Sequence, residues 1–171
     1  TPGAHLRGFV STNGPHPKRF VELIENDPAQ REASAYMSFF RQEGSEAFFT
    51  PEALADQFAD VLNDQEIEIY KRAWAQPGAI TGGLNWYRAN LLTTEEVDAQ
   101  MADLSPTVDV PARVMWGLDD DAVLASNAEG LGPYTTDLEV ETFEGVDHWI
   151  EHRVPGEIAR VIRALHATTA R

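Results

Sequence analysis

The sequence predicts an α/β fold in which a parallel sheet is interrupted by an all-helical insertion. Three observations predict it. A run rich in β-branched and aromatic residues, LRGFVST at 6–12, ends at the turn-forming stretch NGPHP. Apolar residues then recur at three- and four-residue spacing from Lys18 to about Met101. Two further candidates for buried strands follow, at 112–117 and 138–143.

The insertion carries its own helix signals. Thr50 followed by Pro51 is typical of an N-cap with proline at the first helical position, and it predicts a helix through Val61. Further helices are predicted at 64–75, 78–91 and 94–101. We therefore expect three segments: a core strand and turn at 1–17, an all-helical insertion at 18–103, and a second core segment at 104–171.

The second core segment alternates strands and helices. The proline-containing connection DLSPTVDVPA leads into the strand ARVMWG at 112–117, and LEVETF at 138–143 is the next strand. PGEIARVIRALHATT at 155–169 is an amphipathic helix with proline near its start. Strands that are separated by helices need crossover connections, so the pattern predicts a parallel sheet.

Composition excludes several classes of function. The 28 acidic and 13 basic side chains give a formal net charge of -15, which repels phosphate backbones and anionic lipid, so we expect neither nucleic acid nor a membrane surface as a partner. The sequence has neither an apolar run of about 18 residues nor the pattern of a signal peptide. Cysteine is absent, which excludes disulfides and thiolate chemistry. We expect a cytoplasmic protein.

Candidate catalytic residues follow the second and third predicted strands. Ligands of a parallel sheet bind beyond the carboxyl ends of its strands. The loop GLDDDAVL comes directly after 112–117, and EGVDHWIEH comes directly after 138–143. In the second loop, His148 is a candidate general base, provided that a carboxylate accepts a hydrogen bond from its other ring nitrogen. Taken alone, the same histidine also fits an ordinary hydrogen-bonded loop residue.

Two segments, VPARVMWGLDDDAVL and DLEVETFEGVDHWIEHRVP, resemble the C-terminal part of α/β-hydrolases of the epoxide hydrolase and haloalkanoate dehalogenase group. The resemblance implies the C-terminal part of an α/β-hydrolase parallel sheet with an inserted all-helical lid. It implies that Asp120 is the catalytic acid, with Asp119 and Asp121 as solvated neighbours, and that His148 is the base. Asp147 stands where the family has glycine, and its charge is expected to raise the pKa of His148.

The insertion resembles the lid of the epoxide hydrolases in four segments: NGPHP at 13–17, DPAQ at 27–30, SAYMSFF at 34–40 and WAQPGAITGGLNWYRAN at 74–90. In that family two lid tyrosines donate hydrogen bonds to the epoxide oxygen, and the matching positions are Tyr36 and Tyr87. Two preplaced donors would stabilise the negative charge that develops as the ring opens. Tyr70 and Tyr134 lack such a context, and we expect them to be structural.

Aromatic side chains near these positions are candidates for substrate contact, although each fits equally well as packing. They are Phe39, Phe40, Trp74, Trp86 and Trp149. Trp116, at a strand end, is expected to pack in the core.

No metal or organic cofactor is expected. The remaining histidines have no carboxylate or histidine partner on a shared helical face; they are His5, His16, His152 and His166. His16 lies between two prolines, which favours a structural role in a turn.

The family's attacking group has no counterpart in these 171 residues, because neither a GxSxG nor an HxDxG motif occurs. TPGAHLRGF resembles the end of the helix that follows the nucleophile in the family. Three explanations are open: a fragment of a longer enzyme, one half of a hydrolase whose N-terminal half is a separate chain, or a non-catalytic binding or regulatory derivative. In each case the chain by itself is expected to be inert toward epoxides.

With the missing part restored, the resemblance implies hydrolysis of a small apolar epoxide to a vicinal diol. An upstream aspartate attacks a ring carbon to form an ester while Tyr36 and Tyr87 hold the oxygen. His148, oriented by Asp120, then activates water to hydrolyse the ester. A haloalkane or haloacid dehalogenase on the same scaffold is the alternative, with a tryptophan N–H at the leaving halide. The paired tyrosines favour the epoxide.

Overall fold

The structure is a computed structural model that describes residues 6–90, 93–104 and 107–169. Its contacts divide the chain into a core unit, Thr1–Ala33 with Thr93–Arg171, and a helical unit, Ser34–Leu92. The helical unit is shorter at both ends than the lid predicted at 18–103, because the helices at the two ends of that range pack within the core unit. His5 lies outside the described residues.

Three parallel strands form the sheet of the core unit: β1 (Phe9–Thr12), β2 (Ala112–Gly117) and β3 (Leu138–Phe143), in the order β1-β2-β3. The predicted parallel sheet is confirmed, and β2 and β3 have their predicted bounds. β1 begins at Phe9 rather than at Leu6. Phe9 is paired with Ala112, and the residue before Ala112 is Pro111, which has no N–H with which to extend the ladder.

Successive residues of β2 pack on opposite faces of the sheet, as the period of a strand requires. Val114 and Trp116 pack on one face, in a cluster with Val123, Ala128 and Leu131. Met115 packs on the other, in a cluster with Val146, Ile150 and Val161. The last two belong to α8 (Ile150–Arg153) and α9 (Pro155–Thr169). Trp116 is 0% exposed, which confirms its predicted packing role.

The core unit also contains the α-helices α1 (Pro17–Asn26), α2 (Pro28–Ala33) and α7 (Thr94–Met101). α1 starts with proline at its first turn, where a missing N–H costs nothing. α1 and α7 are joined at their surfaces, because Glu25 accepts hydrogen bonds from the backbone N–H and the hydroxyl of Thr94. Nowhere in the described ranges is a helix both long and apolar enough to cross a membrane.

The helical unit consists of α3 (Tyr36–Phe40), a 3₁₀ turn at Ser45–Phe48, α4 (Pro51–Gln57), α5 (Asp64–Trp74) and α6 (Ala79–Ala89). α5 and α6 match the predicted helices closely, although residue 91 of the predicted range 78–91 lies outside the described residues.

Helix α4 begins as predicted and ends early. Thr50 caps it by accepting a hydrogen bond from the N–H of Ala53 at 3.1 Å. The prediction that it continues to Val61 is wrong by four residues, because the helix ends at Gln57. The chain turns there so that Asn63 can cap α5 in extended conformation, where it forms a reciprocal capping box with Glu66.

Candidate functional site

The loop after β2 buries an aspartate whose carboxylate is fully bonded. Asp120 is 3% exposed as a residue, and its side chain is 0% exposed. Its Oδ1 accepts hydrogen bonds from the backbone N–H groups of Ala122 at 2.9 Å and Val123 at 2.8 Å. The other oxygen, Oδ2, is 2.7 Å from Nδ1 of His148. The neighbours Asp119 and Asp121 are exposed, as expected.

His148 follows β3 and precedes α8, and the contact with Asp120 fixes its tautomer. A carboxylate only accepts hydrogen bonds, so in the neutral imidazole the proton lies on Nδ1 and the lone pair lies on Nε2. The pKa of His148 is raised above its usual value, chiefly by the hydrogen bond to Asp120, while burial opposes the rise. The side chain remains 36% exposed. The arrangement can take a proton from water at Nε2 and stabilise the resulting imidazolium.

Asp147, the residue next to the base, is largely neutralised by a neighbour. It accepts hydrogen bonds from the backbone N–H of Trp149 at 3.0 Å and from Arg153 Nη2 at 2.6 Å. The bonds from Arg153 hold the pKa of Asp147 below its usual value. Asp147 does raise the pKa of His148, in the expected direction, but it is the smallest of the causes.

The two tyrosines meet in the helical unit. Tyr36 on α3 and Tyr87 on α6 have ring centroids 6.1 Å apart, and their side chains are hydrogen-bonded. Phe40 packs edge-to-face against both, at 5.0 and 4.9 Å. Burial raises the pKa of Tyr87, so its hydroxyl keeps its proton and stays a donor near neutral pH.

An arginine holds the helix of Tyr87 to the segment that follows Tyr36. Arg88 donates to both carboxylate oxygens of Glu46, at 2.6 and 2.9 Å, and also to the carbonyl of Gln42 and the hydroxyl of Ser45. The hydrogen bond from Arg88 lowers the pKa of Glu46 to about 2, so the pair is ionised over the whole working range of an enzyme. This bidentate contact joins α6 to the segment that follows α3.

The remaining candidates fall into separate groups. Phe39 packs with Phe48 at 5.2 Å, and Trp86 packs against Tyr87 at 5.0 Å while remaining 60% exposed. Trp149 lies edge-to-face against His148 at 5.1 Å. Trp74 belongs to another aromatic group, stacked on Phe58 at 5.7 Å and near Tyr70 at 5.4 Å. Its place there fits packing within the helical unit better than substrate contact.

His16 and Tyr134, for which we expected structural roles, stack on each other with ring centroids 3.7 Å apart. Among the described residues, no three histidine, aspartate or glutamate side chains come together as they would to hold a metal ion. A groove of about 430 Å³ lies elsewhere on the core unit, along β2, β3 and α9. Its lining includes neither Asp120 nor His148.

Comparison with known proteins shows similarity to hydrolases. No family model matches the chain. It is 26% identical over 168 residues to the AB hydrolase superfamily protein YfhM of Bacillus subtilis, covering 92% of this chain and 56% of that protein. It is 26% identical to epoxide hydrolase 2 of Caenorhabditis elegans, covering 86% of this chain and 44% of that protein.

The solved structures that the chain resembles include epoxide hydrolases. An epoxide hydrolase from metagenomes of hot environments superposes with a TM-score of 0.73 at 26% identity, over 99% of this chain and 61% of that one. The epoxide hydrolase of Bacillus megaterium superposes with a TM-score of 0.81 at 20% identity, over 94% and 60%. The chain has the α/β-hydrolase fold, and it is similar in sequence and structure to α/β-hydrolases that include epoxide hydrolases. It spans about half the length of the curated relatives it matches.

Two polar residues at this site were missed at the level of sequence. Gln30 on α2 is 0% exposed and anchors the loop at 117–124 that carries Asp120, here called the acid loop. It donates to the carbonyl of Ala122 and accepts from the N–H of Leu124, both at 2.9 Å. Asn13, directly after β1, contacts the carboxylate of Asp120. The one available signal was position, since Asn13 follows a strand at the same edge of the sheet as Asp120. Nothing in the sequence distinguishes Gln30 from an exposed helical glutamine.

Proposed function

We propose that this chain supplies the lid, the acid and the base of an epoxide hydrolase that converts a small apolar epoxide to a vicinal diol. The observation that carries the proposal is the 2.7 Å contact between Asp120 Oδ2 and His148 Nδ1, with the carboxylate buried and the imidazole partly exposed. A buried carboxylate bonded to a histidine contributes little as packing and is costly unless fully paired. Its value lies in the chemistry of the histidine.

Ring opening is the first step. A carboxylate oxygen of an aspartate bonds to one ring carbon, the bond from that carbon to the epoxide oxygen breaks, and an ester forms. Tyr36 and Tyr87 donate to the oxygen as it gains charge, and one phenol gives it a proton. The mutual hydrogen bond and the brace of Arg88 support this role, because they hold two hydroxyls together in the free protein.

Hydrolysis of the ester is the second step. His148 Nε2 takes a proton from water, and the resulting hydroxide attacks the ester carbonyl. The ester bond to the former epoxide carbon's oxygen breaks, the alkoxide takes the proton from the imidazolium and leaves as the diol, and the remaining proton of the new carboxyl group restores the phenol as the aspartate is regenerated. Asp120 stabilises the imidazolium that forms. The raised pKa of His148 makes it a stronger base, at the cost of requiring a pH high enough to keep it neutral.

The attacking aspartate lies, on this proposal, outside these 171 residues. The chain spans 56% and 44% of two of its curated relatives, which leaves room in such a protein for a strand-turn-helix that carries a nucleophile. The partner of this chain is therefore the N-terminal half of the hydrolase, encoded with it or separately.

Diol formation tests the proposal, measured with the intact protein, which is this chain together with its N-terminal half. Tyr36→Phe and Tyr87→Phe each remove one hydroxyl donor, and we expect each to slow diol formation about 10²–10³-fold. Tyr70→Phe is the matched control, because it removes a hydroxyl from the same helical unit outside the Tyr36–Tyr87 pair, and it is expected to leave the rate unchanged. Equal rates in all three variants, or release of halide from a haloalkane with no diol from any epoxide, would overturn the proposal.

A further inference from the structure

Asn13 occupies a position that few residue types can fill. It follows the last residue of β1 with φ at +43°, the only positive φ at a non-glycine residue in the part of the chain that the structure describes. Asparagine tolerates this left-handed conformation better than other residues with a β-carbon. The residue is also only 3% exposed, so its side-chain amide must be bonded within the protein.

The amide of Asn13 joins the carboxyl ends of all three strands. Its Nδ2 donates to Asp120 Oδ2 at 2.8 Å and to the carbonyl of Asp147 at 3.2 Å. Its Oδ1 accepts from the N–H of Gly117, the last residue of β2, at 2.8 Å. One side chain on the loop after β1 thereby contacts both the acid loop and the loop at 144–152 that carries His148, here called the histidine loop.

The oxygen that Asn13 contacts is the one that faces the base. Asp120 Oδ2 receives Asn13 Nδ2 and His148 Nδ1, while Oδ1 receives two backbone N–H groups. If only Oδ1 were bonded to the backbone, the carboxylate of Asp120 could rotate about its Cβ–Cγ bond. The distance between Oδ2 and His148 Nδ1 would then lengthen. The donor from Asn13 removes that freedom.

We propose that Asn13 is a positioning residue that locks Asp120 Oδ2 onto His148 and ties the histidine loop to the ends of β1 and β2. The inference deepens the proposed function, since it concerns the same acid–base pair. Only a side chain with both a donor and an acceptor satisfies these contacts. A carboxylate at position 13 would place a second negative charge 2.8 Å from Asp120 Oδ2.

Two substitutions separate this role from a merely structural one. Asn13→Gly keeps the backbone conformation, since glycine adopts positive φ freely, and removes the amide. Asn13→Asp keeps the shape and the acceptor for Gly117 but replaces the donor with a charge. The readouts are the imidazole NMR titration of His148 and the downfield resonance of its Nδ1 proton in the intact protein.

We expect the two variants to shift the titration midpoint of His148 in opposite directions. In Asn13→Gly the contact with Asp120 loosens, so the midpoint falls and the Nδ1 proton resonance is lost to exchange. In Asn13→Asp the new carboxylate adds one negative charge beside Asp120 and His148. This charge stabilises the imidazolium, so the titration midpoint of His148 rises. The other charges that act on His148, from Glu151 and the Arg153-paired Asp147, are unchanged in both variants.

Asn26→Ala is the matched control, because Asn26 belongs to the same core unit and its amide bonds the carbonyl of Glu22 within α1 rather than Asp120 or either loop of the site. We expect it to leave the titration of His148 unchanged. An unchanged titration in both Asn13 variants, or an equal shift in Asn26→Ala, would overturn the positioning role. The NMR readout needs no substrate, so it stands or falls separately from diol formation.

Discussion

At the scale of single residues, His148 can act as the proposed general base only in its neutral imidazole form. Its pKa is raised, chiefly by the hydrogen bond to Asp120, so the acid limb of the pH–rate profile is expected to have its midpoint above 6.5. Asp120→Asn removes the carboxylate, should lower that midpoint, and should reduce the rate on the order of 10⁴-fold through loss of the tautomer. The full pH profile of diol formation for both proteins checks this. A midpoint below 6.5 in the unsubstituted protein would contradict it.

The same pair links stability to pH with a definite sign. A group whose pKa is raised by folding contributes stability that is present below its unfolded value and is lost as the pH rises through its folded value. The raised pKa of His148 should therefore contribute to the free energy of unfolding at low pH, and this contribution should be lost as the pH rises above about 6.5.

Gly117 is required by the close approach of the histidine loop to the end of β2. A β-carbon there would lie 2.3 Å from the carbonyl oxygen of Val146 and 2.5 Å from that of Asp147. Gly117→Ala is expected to lower the free energy of unfolding by about 1–3 kcal/mol or more, because backbone must move. Gly82→Ala is the control: apart from neighbouring backbone of its own helix, no atom lies within 4 Å of the position that a β-carbon would take, and in a helix interior alanine should stabilise by about 0.5–1 kcal/mol. Chemical denaturation of both variants measures the difference. Equal stability would contradict it.

At the scale of elements, the contact of Arg88 with Glu46 is a brace between α6, which carries Tyr87, and the segment after α3. Arg88→Lys keeps the charge but loses the bidentate fork to Glu46, so we expect the rate to fall and the helical unit to melt earlier. Arg72→Lys, at an exposed position of α5, is the matched control. Diol formation and far-ultraviolet circular dichroism report the two effects. Equal losses in both variants would show that the brace has no special role.

Elements with a strong local pattern could be predicted from the sequence. β2 and β3 are short apolar or alternating runs bounded by turns, and α9 is amphipathic with proline at its start, so their bounds agree with the structure. The end of α4 could not be predicted in the same way. There the helical spacing of apolar residues continues, and the capping box that begins α5 ends the helix instead.

The polar supports of the site could be predicted least. Asp120 and His148 follow strands and match a known motif, so order along the chain was enough to select them. Asn13 and Gln30 act through contacts with loops roughly a hundred residues away in sequence. Their role appears only when folding brings the end of β1 and helix α2 against the loop after β2.

At the scale of the whole molecule, the two edges of the sheet differ in charge. β3 carries Glu139 and Glu141, paired with Arg113 and Arg160. β1 carries no charged residue, pairs only with β2 among the described strands, and leaves Phe9 42% exposed. Uncharged edges favour strand-to-strand association, whereas charged edges oppose it.

We therefore expect the 171-residue polypeptide to self-associate through β1 at micromolar concentration. Phe9→Lys should increase the monomer fraction, while Val140→Lys on β3, an equally exposed site at 41%, should change it less. Sedimentation velocity gives the distribution. A polypeptide that is monomeric without either substitution would contradict the expectation.

The intact mass of the His148→Gln protein after mixing with an epoxide tests the central claim most directly. If His148 is the base for ester hydrolysis, the ester forms and persists, and the mass of the protein rises by that of one whole epoxide molecule, because ring opening releases no leaving group. Peptide mapping would then locate the adduct on an aspartate outside this sequence. An unchanged mass, or diol formation that continues at the unsubstituted rate, would contradict the acid–base role of Asp120 and His148.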